Sequence, residues 1–134
     1  MNAGRNVPHG DSRHALRASS ERYGSAVIVR VGGEVDACNQ DVWRNLLTKM
    51  AGSAIAPGPF VVDVRQMHFM GCGAFLELAQ EARRCHRREV SMCLVSQQPI
   101  VGHIVAAAGL RPLLTMYRTV ETALSATTPE HCDR

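Results

Sequence analysis

Apolar residues lie in short, nearly continuous runs, and these runs alternate with longer segments whose apolar residues have helical spacing. β-Branched and long aliphatic residues dominate three runs, which predicts buried strands. They are AVIVRVGG at 26–33, GPFVVDV at 58–64 and EVSMCLVS at 89–96. LLTMY at 113–117 predicts a short last strand. HALRAS at 14–19 predicts an edge strand, which a turn in ERYGS joins to the first buried strand as a hairpin.

The intervening segments predict about four helices. The first lies over residues 38–52, with Asn39 as its N-cap and Gly52 as its stop. Its predicted buried face consists of Val42, Leu46, Leu47 and Met50. The second lies over residues 72–88, and its predicted buried face consists of Phe75, Leu78, Ala79 and Ala82, with Glu77, Glu81 and Arg84 outside it. The third (98–110) ends at Gly109 in a left-handed conformation, and the fourth covers 120–125.

Strands that alternate with helices predict a parallel sheet, and the N-terminal hairpin makes that sheet mixed. We therefore expect an α/β fold: a small sandwich with a mixed sheet of four to five strands and about four helices. One folded domain is predicted over residues 14–126. Residues 1–13 and 127–134 are polar and predict flexible tails.

The composition excludes several classes of function. A net charge of +3 and an aromatic content of only 4% argue against a nucleic-acid-binding surface. No run of 18 apolar residues predicts a membrane span, and no charged-then-apolar leader begins the sequence. Five cysteines without regular spacing do not make a disulfide framework. We therefore expect a cytoplasmic protein with reduced thiols and no membrane contact.

Functional groups of parallel sheets gather where the strands end. Three predicted strands run into polar segments, GGEVDACNQ, RQMHFMGCG and SQQP. The residues placed at this edge are Glu34, Asp36, Asn39, Cys72 and Ser96. Cys72 stands between two glycines at the start of the second helix, where free backbone N–H groups and the helix dipole stabilise an anion.

Cys72 has four candidate roles: a nucleophile, a redox sensor, a metal ligand, or a small residue in a tight strand-to-helix turn. A cysteine nucleophile needs a histidine base held by a third group, and no signature ties His68 or His103 to that role. The other cysteines form no C-x-x-C pair of a zinc site, and neither GxGxxG nor GxxxxGK occurs. The residues favour a protein that is not an enzyme and uses no cofactor or metal, with the redox and tight-turn roles both open.

Three segments in this order resemble the STAS domain, and more narrowly the bacterial anti-sigma factor antagonists. They are VIVRVGGEVDACNQDVWRNLL, FVVDVRQMHFMGCGAFLELAQEARR and VSMCLVSQQPIVGHIVAAAGLRPLLTMYRTVETAL. The likeness covers about residues 14 to 126. It implies that the protein binds an anti-sigma factor, often a kinase of the histidine-kinase-like ATPase fold, and so releases a sigma factor.

The resemblance also implies a control point before the second helix. In the family this segment usually reads Asp-Ser-Ser-Gly, and phosphorylation of the first serine by the anti-sigma factor abolishes binding. Here the aligned residues are Gly71, Cys72, Gly73 and Ala74, so Cys72 occupies the phospho-acceptor position and has no hydroxyl. Asp36, which the family keeps nearby, is present.

Two regulatory readings follow: a constitutive antagonist that cannot be phosphorylated, or a switch in which oxidation of the thiol at position 72 blocks the binding face. The predicted partner-binding residues are Asp36, Asn39, Gln66, His68, Met70, Gly71, Cys72, Gly73, Ala74, Glu77 and Gln80. The rival functions are a STAS-type scaffold or small-ligand sensor that acts on no sigma regulator, and a thiol enzyme that uses Cys72. Homodimerisation stays open.

Overall fold

The computed structural model describes residues 16–127. Its elements, in chain order, are β1 (Leu16–Tyr23), β2 (Ala26–Val35), α1 (Gln40–Ser53), β3 (Phe60–Met70), α2 (Cys72–Arg87), β4 (Met92–Val95), α3 (Pro99–Ala107), β5 (Leu114–Tyr117) and α4 (Val120–Thr127).

One sheet contains the five strands in the order β1-β2-β3-β4-β5. β1 pairs with β2 in the antiparallel direction, and the other three pairs are parallel. A two-residue turn joins the hairpin, and its first residue, Gly24, has a φ of +62°, which a residue with a side chain rarely adopts. The predicted mixed sheet and helix number are confirmed.

Alternation along the strands divides the core into two layers. Val27, Val29 and Val31 of β2 face a large apolar cluster that α1, α2 and α3 complete. Ile28 and Val61 point to the opposite face, where the buried side of α4 covers them. Three helices therefore lie on one face of the sheet and one helix on the other.

β3 is longer than predicted. The sequence favours a strand that ends at residue 64, whereas β3 continues to Met70 and pairs with the second half of β2. The register between the two strands shifts twice, between Arg30 and Gly32 and again between Gly33 and Glu34. These irregularities interrupt the alternation of apolar and polar residues, so the continuation does not read as a strand in the sequence. Residues 65–70, which the sequence predicts to follow the strand, therefore belong to it.

The buried face of α1 is also rotated from the prediction. Trp43, Leu47 and Ala51 are buried, at i, i+4 and i+8, while Val42 is exposed. Leu46 and Met50 are partly buried at the margin of the core. The aliphatic residues alone indicate a different face. The single tryptophan, Trp43, is the largest side chain of α1 and lies on the buried face.

The ends of α3 agree with the sequence. Pro99 occupies the first turn, and Gly109 follows the helix with a φ of +73°. In the described part of the chain, no helix combines the length and apolarity needed to cross a membrane. The predicted tails lie outside the described residues, except that Thr127 ends α4.

Candidate partner-binding site

Strands β2 to β5 end at the C-terminal edge of the sheet, and the following helices begin there. A backbone hydrogen bond connects two of these segments. The N–H of Gly71 donates to the carbonyl of Val35 (2.9 Å), which fixes the end of β2 against the start of α2. Gly71 is the N-cap of α2 and Cys72 its first residue. The prediction of Cys72 at a helix start is thus confirmed, and the side chain is exposed.

A hydrogen-bonded turn follows β2 at the same edge. The Asn39 amide accepts from the N–H of Asp36 (2.9 Å) and donates to the carbonyl of Glu34 (2.8 Å). The Asp36 carboxylate accepts from the N–H of Cys38 (2.9 Å). Asn39 precedes α1 as predicted, yet its side chain makes no cap bond with the helix. Asp36 and Asn39 therefore shape the turn that precedes α1.

Gln40 is a site residue that the sequence analysis did not find. Its side-chain amide donates to the Glu77 carboxylate (3.0 Å). The Gln40 side chain therefore lies against the first turn of α2. A Cβ atom at position 73 would lie 2.0 Å from the Gln40 side-chain oxygen, so only glycine leaves room for Gln40 there. No pattern in the sequence identifies this pair, because the two residues belong to different helices.

Glu77, which the sequence places outside the buried face of α2 and among the partner-binding residues, is largely buried. Its side chain is only 11% exposed, and it accepts from Gln40 and from Arg44 (3.3 Å). Arg44 also donates to Asp41 (2.7 Å), and these two contacts, Asp41 first, raise the pKa of Arg44 above its ordinary value. Glu77 therefore holds α1 against α2 and offers little surface to a partner.

Ala74, which the sequence also places among the partner-binding residues, is buried too. It is 1% exposed, and its carbonyl accepts from the indole N–H of Trp43 at 3.0 Å. Its methyl group belongs to the core and cannot reach a partner. Ala74 therefore has a structural role, in which it seats α1 beside the start of α2.

The remaining predicted residues lie on the second half of β3 and on α2. Gln66 and His68 are exposed on β3, and Met70 ends the strand half-buried. Cys72 and Gln80 are exposed on α2. Gly71 and Gly73 flank Cys72 and are partly buried. Gln66 lines a separate depression together with Arg30 and Asp63.

Large exposed apolar side chains are concentrated at this edge. Within residues 16–127 they are Tyr23, Val42, Ile55, Phe69, Leu76 and Ile100. Val42, Leu76 and Ile100 lie in the first or second turn of α1, α2 and α3, and Phe69 is the last but one residue of β3. Four of the six therefore surround the C-terminal edge, while Tyr23 and Ile55 lie at the opposite one.

The described cysteines fall into two classes. Cys38 and Cys72 are exposed, whereas Cys85 and Cys93 are buried. Burial raises the pKa of Cys85 to about 11, with the nearby Glu81 adding to the effect, and that of Cys93 to about 12. Cys93 fills the core as its apolar strand predicts. The only described thiols available to solvent thus lie in or beside the candidate site.

Residues 17–123 match the sequence description of the STAS domain. The chain belongs to the STAS domain family. A Mycobacterium tuberculosis relative with the provisional name anti-anti-sigma factor Rv2638 is 46% identical over 125 residues, which cover 92% of this chain and 84% of the relative. Anti-sigma-F factor antagonist RsfA of the same species is 45% identical over 114 residues, 85% of this chain and 89% of RsfA.

The solved structures give the same fold for this STAS domain. A crystal structure of an anti-sigma factor antagonist from Mycobacterium paratuberculosis superposes with a TM-score of 0.73 at 19% identity, over 85% of this chain and 95% of that one. At that identity the likeness concerns the fold alone. At the start of α2 this STAS domain has no hydroxyl group from Gly71 to Ala74.

Proposed function

We propose that this STAS domain is an anti-sigma factor antagonist, which binds an anti-sigma factor through the C-terminal edge of its sheet and so frees a sigma factor. Family membership and the names of the two relatives support the role. The observation that supports the site is that four of the six large exposed apolar side chains of residues 16–127 lie at this edge of the sheet. Apolar surface of this kind is stabilised when another protein covers it.

The proposed partner has the histidine-kinase-like ATPase fold and meets this protein in the cytoplasm. The proposed contact residues are Gln66, His68, Met70, Gly71, Cys72, Gly73 and Gln80, with Asp36, Asn39, Ala74 and Glu77 holding the surface in shape. The protein acts by occupying its partner, without turnover, cofactor or contact with DNA.

This protein is not regulated by phosphorylation at the start of α2, because no residue from 71 to 74 has a hydroxyl group. Cys72 is instead a small residue in a tight turn, and the antagonist is constitutively competent. Mild peroxide distinguishes this from a thiol switch. We expect equal partner affinity before and after peroxide; a loss of affinity in wild type that Cys72→Ser prevents, and that Cys38→Ser does not, would establish the switch.

The role is tested with purified proteins. Each anti-sigma factor of the host is immobilised, and binding of this chain is measured by biolayer interferometry. We expect one of them to bind with a Kd of about 1 µM or tighter, and the chain to displace sigma factor from that complex. Leu76→Asp should weaken binding at least tenfold by placing a charge in the apolar surface. Ile55→Asp, an equally exposed position at the opposite edge, is the matched control. Absence of binding to every anti-sigma factor contradicts the proposal.

A further inference from the structure

A cleft of about 200 Å³ opens beside the start of α2, between the end of β3 and the first turns of α3. We name it the α3 cleft. Its lining includes Met67, Phe69, Phe75, Ser96, Ile100 and Ile104. His68 and Met70 also line it, so the α3 cleft is continuous with the proposed contact surface.

The chemistry of the lining restricts what the cleft can hold. No Asp, Glu, Lys or Arg of the described chain lines it, so a charged occupant would lose its hydration without gaining a partner charge. Most of the lining is aliphatic or aromatic. An uncharged, apolar group is the occupant that this surface stabilises.

Three polar residues, His68, Ser96 and Gln98, also line the cleft, and Ser96 offers a hydrogen-bond donor at its wall. It is only 7% exposed, and its hydroxyl oxygen accepts from the N–H of Gln98 at 3.1 Å. Within the described residues, no acceptor takes the hydroxyl proton. A buried donor is satisfied when an acceptor approaches it. The occupant should therefore carry a hydrogen-bond acceptor next to its apolar part.

Size decides between a free small molecule and a side chain of a protein. Clefts for drug-sized ligands have volumes of about 300–1,000 Å³, whereas a cavity of about 150 Å³ accommodates benzene. The α3 cleft therefore matches one leucine, methionine or phenylalanine side chain. Phe69 and Ile100 are, moreover, more than half exposed at its mouth. A small molecule would leave them in water, whereas a protein surface covers them.

We propose that the α3 cleft is the anchor pocket of the interface: it receives one apolar side chain of the anti-sigma factor, and the Ser96 hydroxyl donates to a main-chain carbonyl beside that side chain. The inference rests on the proposed function and adds where the partner is held. Anchoring residues in well-packed pockets carry a large share of binding energy. The α3 cleft thereby extends the contact surface from α2 onto α3, beyond the residues predicted from the sequence.

The test uses the anti-sigma factor identified by interferometry and the 134-residue chain. Ile100→Asp places a charge at the mouth of the α3 cleft and is expected to weaken binding at least tenfold. Ile55→Asp is the matched control, because the two isoleucines are 57% and 60% exposed. Its affinity should stay within about twofold of wild type. Ser96→Ala, which removes the donor, should weaken binding about fivefold. Thermal melting of each variant establishes that it is folded.

The outcomes separate the two proposals. If an anti-sigma factor binds wild type but Ile100→Asp and Ser96→Ala bind equally well, the anchor pocket is wrong and the proposed function stands. If no anti-sigma factor binds wild type, both are wrong. Sedimentation of the isolated chain as a dimer that Ile100→Asp dissociates would assign the cleft to a second copy and overturn the inference. A small molecule that co-purifies with wild type and is absent from Ile100→Asp, detected by native mass spectrometry, would also overturn it.

Discussion

At the scale of single residues, the absence of a side chain at Gly73 leaves the space that the Gln40 side chain occupies. Replacing Gly73 by alanine places a methyl group where the Gln40 amide lies, so the Gln40 side chain must move, which disturbs its bond to Glu77. Gly102, inside α3, has open space at its Cβ position. We expect Gly102→Ala to raise the free energy of unfolding by about 0.5–1 kcal/mol through helix propensity, and Gly73→Ala to gain less or lose stability.

A double-mutant cycle in urea denaturation checks the cause. In a Gln40→Ala background the obstacle is absent, so Gly73→Ala should gain about as much stability as Gly102→Ala. Equal gains from both alanine variants in the wild-type background would show that Gln40 does not occupy the space beside Gly73.

The exposed thiols lead to a second prediction at this scale. Iodoacetamide at pH 8 should modify Cys38 and Cys72 in the native protein, because thiolates that meet solvent are the reactive form. Cys85 and Cys93 should react only after unfolding, since burial both covers them and raises their pKa. Peptide mapping by mass spectrometry after timed labelling reads each site separately. Rapid native labelling of Cys93 would contradict its place in the core.

At the scale of elements, the contact between α1 and α2 positions the site. Trp43 is fully buried and donates to the Ala74 carbonyl, and Thr48 donates to the buried Glu81 carboxylate at 3.2 Å. Trp43→Phe removes the donor and part of the ring, and we expect a loss of about 1–3 kcal/mol in the free energy of unfolding, measured by circular dichroism in urea. Val42→Ala, on the exposed side of α1, should change it by less than about 0.5 kcal/mol. A larger loss of stability from Val42→Ala than from Trp43→Phe would support the buried face predicted from the sequence.

Element order and type were predictable from sequence, because buried parallel strands and amphipathic helices have distinct apolar periods. The end of β3 was not predictable, since register shifts against β2 remove the two-residue alternation beyond Asp63. Burial of Glu81 was also missed. A carboxylate reads as surface until Thr48 and Arg84 (2.8 Å) are found to be its partners, and Thr48 lies on another helix.

The candidate site was predictable in location and only partly in composition. Parallel topology brings Asp36 and Cys72 to one edge, and the structure has them there. The apolar part of the surface, Phe69, Leu76 and Ile100, was not found. A sequence assigns apolar residues to the core by default, and which of them stay exposed depends on how the helices pack.

At the scale of the whole molecule, the buried thiols make stability depend on alkaline pH. The pKa values of Cys85 and Cys93 are about 11 and about 12 in the folded protein, against an ordinary value of 9.0. Above about pH 9 the unfolded chain releases these protons while the folded chain keeps them, so the unfolded state binds fewer protons and stability falls as pH rises. Urea midpoints from pH 8 to 10.5 should decline, and less steeply in Cys85→Ala/Cys93→Val. Parallel slopes would contradict the thiol contribution.

A further prediction for the whole complex concerns phosphorylation of this chain by its proposed partner. An ATPase-fold anti-sigma factor that phosphorylates its antagonist needs a hydroxyl in the contact surface, and residues 71–74 of this chain offer none. With Mg²⁺ and ATP present, the wild-type complex should therefore persist and incorporate no phosphate. A variant with Gly71→Asp, Cys72→Ser, Gly73→Ser and Ala74→Gly supplies the hydroxyls, and its serine at position 73 displaces Gln40 from the start of α2. That variant should incorporate phosphate and dissociate, because about two negative charges enter a close interface. Phosphate on wild type, at Ser91, Ser96 or Thr115 for example, together with release of the partner, would contradict constitutive binding and indicate a switch elsewhere in the STAS domain.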